Sequence, residues 1–254
     1  MKEQGYFQRV FSNVKKWQLV YWWIFRVVMI VAMFRPSPTS EIDPKQNMAQ
    51  MGANLAAMFL WEIFMLFPEK TFVRHLPSAI QNITIPFIIL GAFGGAYLGF
   101  YYSIWWWDAA LHTLGSFIGV LLCYEILTAI QKRDRQKMNL SIILIAAVGL
   151  CFMFGVIWEL FEFTCDQILP NSDTQHWDVT KFHEGYRNLF PPRYEARTPL
   201  MDTMSDTVCN VVGAVLGFIA LKIKPYRHSG KNDINKLIEL EEAEEKKAKS
   251  QASV

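Results

Sequence analysis

The chain has few charged residues for its length. Only 19% of its 254 residues are charged, whereas 52% are hydrophobic and 15% are aromatic, which is too apolar for an ordinary soluble domain of this size. The net charge of +2 is small, and the basic residues are scattered along predicted loops, so nucleic acid is not an expected partner. The composition therefore predicts a protein that crosses a membrane several times.

Familiar catalytic and redox motifs are also absent. The four cysteines form no CxxC pair and lie in or at the ends of apolar runs, which predicts small buried side chains. The sequence contains no nucleophile motif and no phosphate-cradling loop. An apolar run near the N-terminus superficially resembles a signal peptide, but its length, Arg26 and the lack of a small-residue cleavage site predict a retained helix. Whether the protein is an enzyme stays open at this point.

Six apolar runs approach the length of about 20 residues that spans a bilayer. They are residues 17–34, 47–67, 79–102, 105–130, 139–165 and 203–223. The second run is the weakest, because its start is polar and Glu62 lies inside it. The predicted fold is all-α: a polytopic membrane helix bundle of about six transmembrane helices over residues 1–224, followed by a charged cytoplasmic tail at 225–254.

The distribution of positive charge predicts the orientation of this bundle. Most Lys and Arg residues fall at the two termini and in the second and fourth connections, and positive residues are retained on the cytoplasmic side. Both termini are therefore predicted inside, in the bacterial cytoplasmic (inner) membrane. The long connection 166–201 is then an outer loop before the last helix and a candidate lid. Its polar residues include His176, Asp178, His183, Glu184 and Tyr186.

Three polar motifs interrupt the last three apolar runs. They comprise Asp108 and His112, then Glu159, Glu162 and Asp166, then Asp202, Asp206 and Asn210. Spacings of three or four residues place each set on one helix face. The predicted topology puts all three sets within about two helical turns of the outer surface. Because ionisable groups at membrane depth are costly, we expect the motifs to form one functional site.

The residue types indicate what this site can bind. Carboxylates with one imidazole suit Mg²⁺, Mn²⁺, Zn²⁺ or Fe²⁺, and the predicted metal ligands are Asp108, His112, Glu159, Glu162, Asp166, Asp202 and Asp206. The predicted catalytic residues are Glu159, Glu162 and His112, with one of the two glutamates as base. Without a metal, the same groups would share protons as a relay or form a ligand pocket. Helix capping is a further alternative, and Asp202 is well placed as an N-cap.

Two interactions are predicted away from these motifs. Small residues at 91–96 and 213–217 predict close helix packing. Arg26, inside the first span, is predicted either to snorkel or to pair with Glu62.

The last three spans also resemble a known family. The segment 157–166 (IWELFEFTCD), the segment 201–214 (MDTMSDTVCNVVGA) and the upstream pattern Asp108-x3-His112-x2-Gly115 resemble the YjdF-like family of uncharacterised bacterial inner-membrane proteins. The similarity covers residues 105–220, and the seven candidate ligands occupy the family's motif positions. A looser likeness exists to VanZ-like proteins. The first resemblance implies no settled activity.

Three functions stay open on this reasoning. The first is a metal-dependent hydrolase or transferase that acts on a lipid or envelope precursor, and the second is a small ion- or proton-coupled transporter. The third is a non-catalytic envelope protein that binds a lipid or an antibiotic. The expected partners are membrane lipids and a lipid or small-molecule ligand at the outer face.

Overall fold

The computed structural model describes residues 5–12, 14–39, 43–169, 172–175, 199–223, 238–244 and 246–247. Every regular element within these ranges is helical, as predicted. From Tyr6 to Lys222 the elements are α1 (Tyr6–Ser12), α2 (Lys16–Phe34), α3 (Pro44–Ala57), α4 (Leu60–Phe64), a short 3₁₀ helix (Phe72–His75), α5 (Ala79–Ile88) with a π-helical continuation (Ile89–Tyr97), α6 (Phe100–Ser103), α7 (Trp107–Asp134), α8 (Leu140–Ile168) and α9 (Pro199–Lys222).

Five helical segments of the described chain are long and apolar enough to cross a membrane. They are Lys16–Phe34, Ala79–Tyr97, Trp107–Asp134, Leu140–Ile168 and Pro199–Lys222. All five overlap spans predicted from the sequence. The second predicted span, 47–67, is not among them, so the number of crossings stays a prediction.

The second predicted span is two helices instead of one. α3 ends at Ala57 and α4 begins at Leu60, and the Arg26 guanidinium donates a hydrogen bond of 2.7 Å to the Met58 carbonyl at the break. The same guanidinium contacts Glu62 at 2.6 Å, which confirms the predicted ion pair. A buried arginine thus satisfies a carbonyl at the point where the helix is interrupted.

The third predicted span also differs from a simple helix. It continues past Pro86 as a π-helical segment and ends at Tyr97, short of the predicted residue 102. Gly99 has a φ of +73°, a conformation that favours glycine, and it turns the chain into the short helix α6. This turn carries the chain to the start of α7.

Hydrogen bonds between neighbouring elements show the path of the N-terminal half. Asn47 at the start of α3 donates to the Arg35 carbonyl after α2, so α3 runs back along α2. Trp22 donates to Asn82 in α5 at 2.8 Å, and Ser37 donates to the Tyr97 carbonyl at 2.7 Å. Successive passes are therefore antiparallel. The first pass is α2, the second is α3 with α4, and the third is α5 with its π-helical continuation.

The C-terminal half consists of three long helices, α7, α8 and α9, whose directions also alternate. α7 begins where the Trp107 ring faces Gly94 near the end of the third pass, and it runs back from there. α8 returns, and its Cys151 thiol donates to the Ser116 carbonyl of α7. α9 then runs parallel to α7. The starts of α7 and α9 and the end of α8 therefore lie at one end of the bundle, which we call the Trp107 end.

Glycines bring α7 and α9 into backbone contact. A Cβ atom at Gly213 would overlap the carbonyl oxygen of Thr113, and one at Gly217 would lie 2.9 Å from the carbonyl oxygen of Phe117. The predicted packing of small residues at 213–217 is thus confirmed. The glycines of the third pass instead accommodate aromatic rings, because Gly94 faces Trp107 and Gly95 faces Tyr101.

The opposite end of the bundle carries the described part of the tail. Residues 238–244 and 246–247 are helical, and Lys137 pairs with Glu242 at 3.0 Å. All four cysteines are free thiols, and Cys123, Cys151 and Cys209 are buried, in line with their predicted role as small hydrophobic side chains.

Candidate functional site

Polar side chains of α7 and α9 face each other in pairs, one pair per helical turn, at the Trp107 end. Ser116 donates a buried hydrogen bond of 2.8 Å to Asn210, and one turn nearer the helix starts His112 lies 3.6 Å from Asp206. Because the two helices are parallel and in constant register, Asp202 lies level with Asp108 in the next turn. Asp202 and Asp206 are only 4% and 3% exposed. The predicted faces of α7 and α9 therefore meet, and the carboxylates lie in the turns closest to the starts of the two helices.

His112 lies at the centre of the site. Its Nε2 atom is 3.6 Å from Asp108 Oδ1 and 3.6 Å from Asp206 Oδ2, which is too long for a direct hydrogen bond. The three side chains are at most 18% exposed. They form one group whose ligand atoms all lie within 4.8 Å of one another.

α8 supplies a second group around the same imidazole. His112, Glu159 and Glu162 also offer ligand atoms that lie within 4.8 Å of one another. Trp158 donates to Glu162 Oε1 at 2.9 Å and fixes that carboxylate. Both oxygens of Glu159 are shielded from solvent and have no hydrogen-bond partner among the described residues. Glu159 is therefore a shielded acid that receives no hydrogen bond from the described residues.

Asp202 borders both groups without belonging to either. It lies within electrostatic range of Glu159 and Glu162 on α8 and of Asp206, one turn further along α9. α9 begins at Pro199, so Asp202 lies in the first turn and is not the N-cap residue of the capping alternative. Its burial beside other acids adds a further carboxyl group at this end of the bundle.

Asp166 has a different structural role from the other acids. Its Oδ1 accepts hydrogen bonds from the Ser172 hydroxyl and from the amide and hydroxyl of Thr174, and its Oδ2 accepts from the Gln175 amide. It belongs to neither group of clustered ligand atoms. The predicted ligand Asp166 thus organises the chain that follows α8.

This connection returns toward the site. Thr174 donates to the Glu162 carbonyl, and the buried Gln175 donates to the Thr203 hydroxyl at 3.1 Å. Thr203 in turn lies near Glu159 without completing a hydrogen bond to it. The candidate lid residues His176, Asp178, His183, Glu184 and Tyr186 lie outside the described residues.

Sequence reasoning missed several neighbours of the site. Ser116 could have been found, because it continues the four-residue series of Asp108 and His112 just as Asn210 continues that of Asp202 and Asp206. Gln175 carries no such signal, since its contact with Thr203 depends on the path of a loop. The connection from α8 therefore contributes to the site in a way that helical spacing cannot reveal.

Comparison with known proteins agrees with the membrane character of the fold. Residues 17–225 match the family model described as "Predicted membrane protein (DUF2238)". The chain belongs to this family. An uncharacterised protein from Thermotoga maritima is 35% identical over 107 residues, which cover 42% of this chain and 54% of that protein. The chain thus spans about half the length of this relative.

The DUF2238 family description names no activity. No solved structure matches the chain. The resemblance to the YjdF-like proteins stays a prediction, and the comparisons lend no support to the likeness to VanZ-like proteins. In this DUF2238 member, the clustered side chains at the Trp107 end are therefore the feature that bears most directly on function.

Proposed function

We propose that the Trp107 end of the bundle is a divalent-metal site of a membrane enzyme that hydrolyses or transfers a group on a lipid or envelope precursor. The observation that carries this proposal is the crowding of four carboxylates, from Asp108, Glu159, Glu162 and Asp206, around His112. Among the described residues, none of these four acids forms an ion pair with a Lys or an Arg. Buried like charges are costly, and a bound cation removes that cost in one step.

The distances support a metal ion as that cation. Two ligand atoms that each lie about 2.1 Å from an ion at a tetrahedral angle are separated by about 3.4 Å. His112 Nε2 lies 3.6 Å from oxygens of both Asp108 and Asp206, so small adjustments would bring all three onto one ion. The imidazole favours Mn²⁺, Fe²⁺ or Zn²⁺ over Mg²⁺, because Mg²⁺ is usually held by oxygen atoms.

The two glutamates of α8 suit different tasks. Glu159 has two shielded oxygens without partners and is suited to metal ligation. Glu162 is held by Trp158 and lies beside the connection that follows α8, so it is suited to accept a proton from water. The ion would polarise a phosphoryl or acyl oxygen and lower the pKa of bound water.

A neighbouring groove supports a lipid-like substrate. An apolar cavity of about 520 Å³ lies between α7 and α9. Its lining includes Ala109, adjacent in sequence to Asp108, and Cys209, one turn beyond Asp206. An acyl chain in this groove would place its headgroup at the carboxylates.

Metal analysis tests the proposal. We expect the protein, purified from metal-replete cells, to contain about one Mn²⁺, Fe²⁺ or Zn²⁺ per chain. Glu159→Gln and Asp206→Asn should each lose at least nine tenths of it, because loss of a ligand removes both a bond and a compensating charge. Elemental analysis by inductively coupled plasma mass spectrometry provides the measurement.

Two matched variants keep this test specific. Glu125→Gln removes an acid from α7 about 20 Å along the helix from His112 and should retain the metal. Asp166→Asn should also retain it, because that carboxylate binds the α8 connection. Two results would contradict the proposal. One is wild-type protein that stays free of metal after reconstitution, and the other is an equal loss of bound metal in all four variants, Glu159→Gln, Asp206→Asn, Glu125→Gln and Asp166→Asn.

The site faces the outside of the cell in this proposal. The support is the excess of Lys and Arg in the connections at the opposite end, including Lys132, Arg133 and Lys137. In a background without native cysteines, Gln167→Cys should react in intact cells with a membrane-impermeant maleimide, and Lys137→Cys should react only after lysis. The reverse labelling pattern would place the site inside.

An ion-coupled transporter is the second candidate. Interrupted helices are typical of transporters, and the break at Met58 and the π-helical segment at Ile89–Tyr97 are observations in its favour. In proteoliposomes, an ion gradient would drive uptake by a transporter. A hydrolase or transferase would instead turn over substrate without a gradient.

A further inference from the structure

Tyr101 lies within electrostatic range of the carboxylates of the proposed metal site but belongs to none of the polar motifs. It stands on α6, the four-residue helix that follows the left-handed turn at Gly99. The turn reverses the chain, so that α6 packs back against the third pass. The position of Tyr101 is therefore set by the backbone between the third pass and α7.

Two glycines of the third pass make room for this side chain. A Cβ atom at Gly95 would lie 2.6 Å from Tyr101 Cζ, and one at Gly91 would lie 3.6 Å from the Tyr101 hydroxyl. The ring therefore crosses the surface of the π-helical segment at Gly95, and its hydroxyl reaches toward Gly91. A larger residue at position 95 would force the ring to move.

The position of Gly91 along the third pass shows that the Tyr101 hydroxyl lies at the same membrane depth as the carboxylates of the site. Gly94 faces Trp107 at the start of α7, and Phe87 faces Gly115 two turns further on. Gly91 lies between Phe87 and Gly94, so it is level with the part of α7 that carries Asp108 and His112. In agreement, Tyr101 interacts electrostatically with Asp108, Glu162 and Asp206.

The Tyr101 hydroxyl is available to a ligand. Within the described part of the chain it makes no hydrogen bond, unlike Tyr97, whose hydroxyl donates to the Pro36 carbonyl. The ordinary pKa of a tyrosine phenol is about 10, well above neutral pH. The phenol therefore keeps its proton and acts as a hydrogen-bond donor.

We propose that Tyr101 positions the substrate by donating a hydrogen bond to a phosphoryl oxygen held at the metal site. This inference rests on the proposed function and extends it, because it adds a fourth element to a site built from α7, α8 and α9. The phenol supplies a neutral donor where the other side chains are acids. It would orient the reacting phosphoryl group without binding the metal.

The test separates phosphate binding from metal binding. The purified full-length protein is loaded with Mn²⁺, and inorganic phosphate is titrated by isothermal calorimetry. Tyr101→Phe should leave the Kd for Mn²⁺ within twofold and weaken phosphate binding about tenfold, as expected for one hydrogen bond to a charged oxygen. Gly95→Ala should weaken phosphate binding similarly although it retains the phenol, because it displaces the ring.

Tyr97→Phe is the control variant, and each possible outcome bears on either the inference or the proposed function. Tyr97→Phe removes a phenol already bonded to Pro36 and should leave both affinities unchanged. Equal phosphate affinity in wild type and Tyr101→Phe would overturn the inference and leave the metal site intact. Absence of phosphate binding by the Mn²⁺-loaded wild type would overturn the inference as well. Absence of Mn²⁺ binding would overturn the proposed function together with it.

Discussion

Replacing Gly213 with alanine is expected to destabilise the protein by about 3 kcal/mol, the upper part of the range for overpacked cores. The added Cβ would overlap the carbonyl oxygen of Thr113, which is backbone and cannot turn aside. α7 and α9 must therefore separate. Since His112 and Asp206 face each other across the same interface, metal binding should be lost as well.

Gly149→Ala is the matched control for this experiment. Gly149 is also a membrane-helix glycine, on α8, but a Cβ there meets no atom within 4 Å. Its replacement should be tolerated, because alanine favours a helix more than glycine does. Unfolding in mixed micelles, followed by tryptophan fluorescence, provides the measurement. Equal stability of the two variants would show that the close α7 and α9 packing is not required.

Arg26→Met is expected to cost about 3–5 kcal/mol in the same unfolding measurement, as is usual when one partner of a buried ion pair is removed. Arg26 is only 1% exposed, and its guanidinium lies 2.6 Å from Glu62 and also contacts the Met58 carbonyl. The Phe59 ring lies 3.8 Å from the guanidinium carbon. Methionine fills the space but leaves Glu62 buried with an uncompensated charge.

The chain offers an exposed pair for comparison. Arg133 contacts Asp134 at the same distance of 2.6 Å, but both side chains are about one third exposed. Arg133→Met should change stability little, because water and salt screen exposed pairs. The double variant Arg26→Met with Glu62→Leu should recover most of the loss, because no charge is left unpaired. Equal effects of Arg26→Met and Arg133→Met would refute the role of burial.

The grouping of the site could be predicted from the sequence because it depends on regular geometry. Residues four apart on a helix share a face, and the alternation of passes puts the starts of α7 and α9 beside the end of α8. Asp108, His112 and Asp206 meet for this reason. The same regularity predicted the five apolar helices, since length and hydropathy alone define them.

Features that depend on irregular backbone could not be predicted in this way. The role of Asp166 depends on the turn at 172–175, and the position of Tyr101 depends on the left-handed turn at Gly99. The second pass is interrupted where the Met58 carbonyl bonds to Arg26 from another helix, a tertiary contact that no local pattern encodes. Neither helical period nor hydropathy carries this information.

Electron spin echo envelope modulation of the Mn²⁺-loaded protein tests most directly whether the motifs form one metal site. We predict nitrogen-14 modulation from a single coordinated imidazole. The modulation should vanish in His112→Gln and persist in His75→Gln, which alters a histidine bonded to the Glu69 carbonyl on another part of the chain. One bound Mn²⁺ without nitrogen modulation, or with modulation that survives His112→Gln, would contradict a metal site centred on His112.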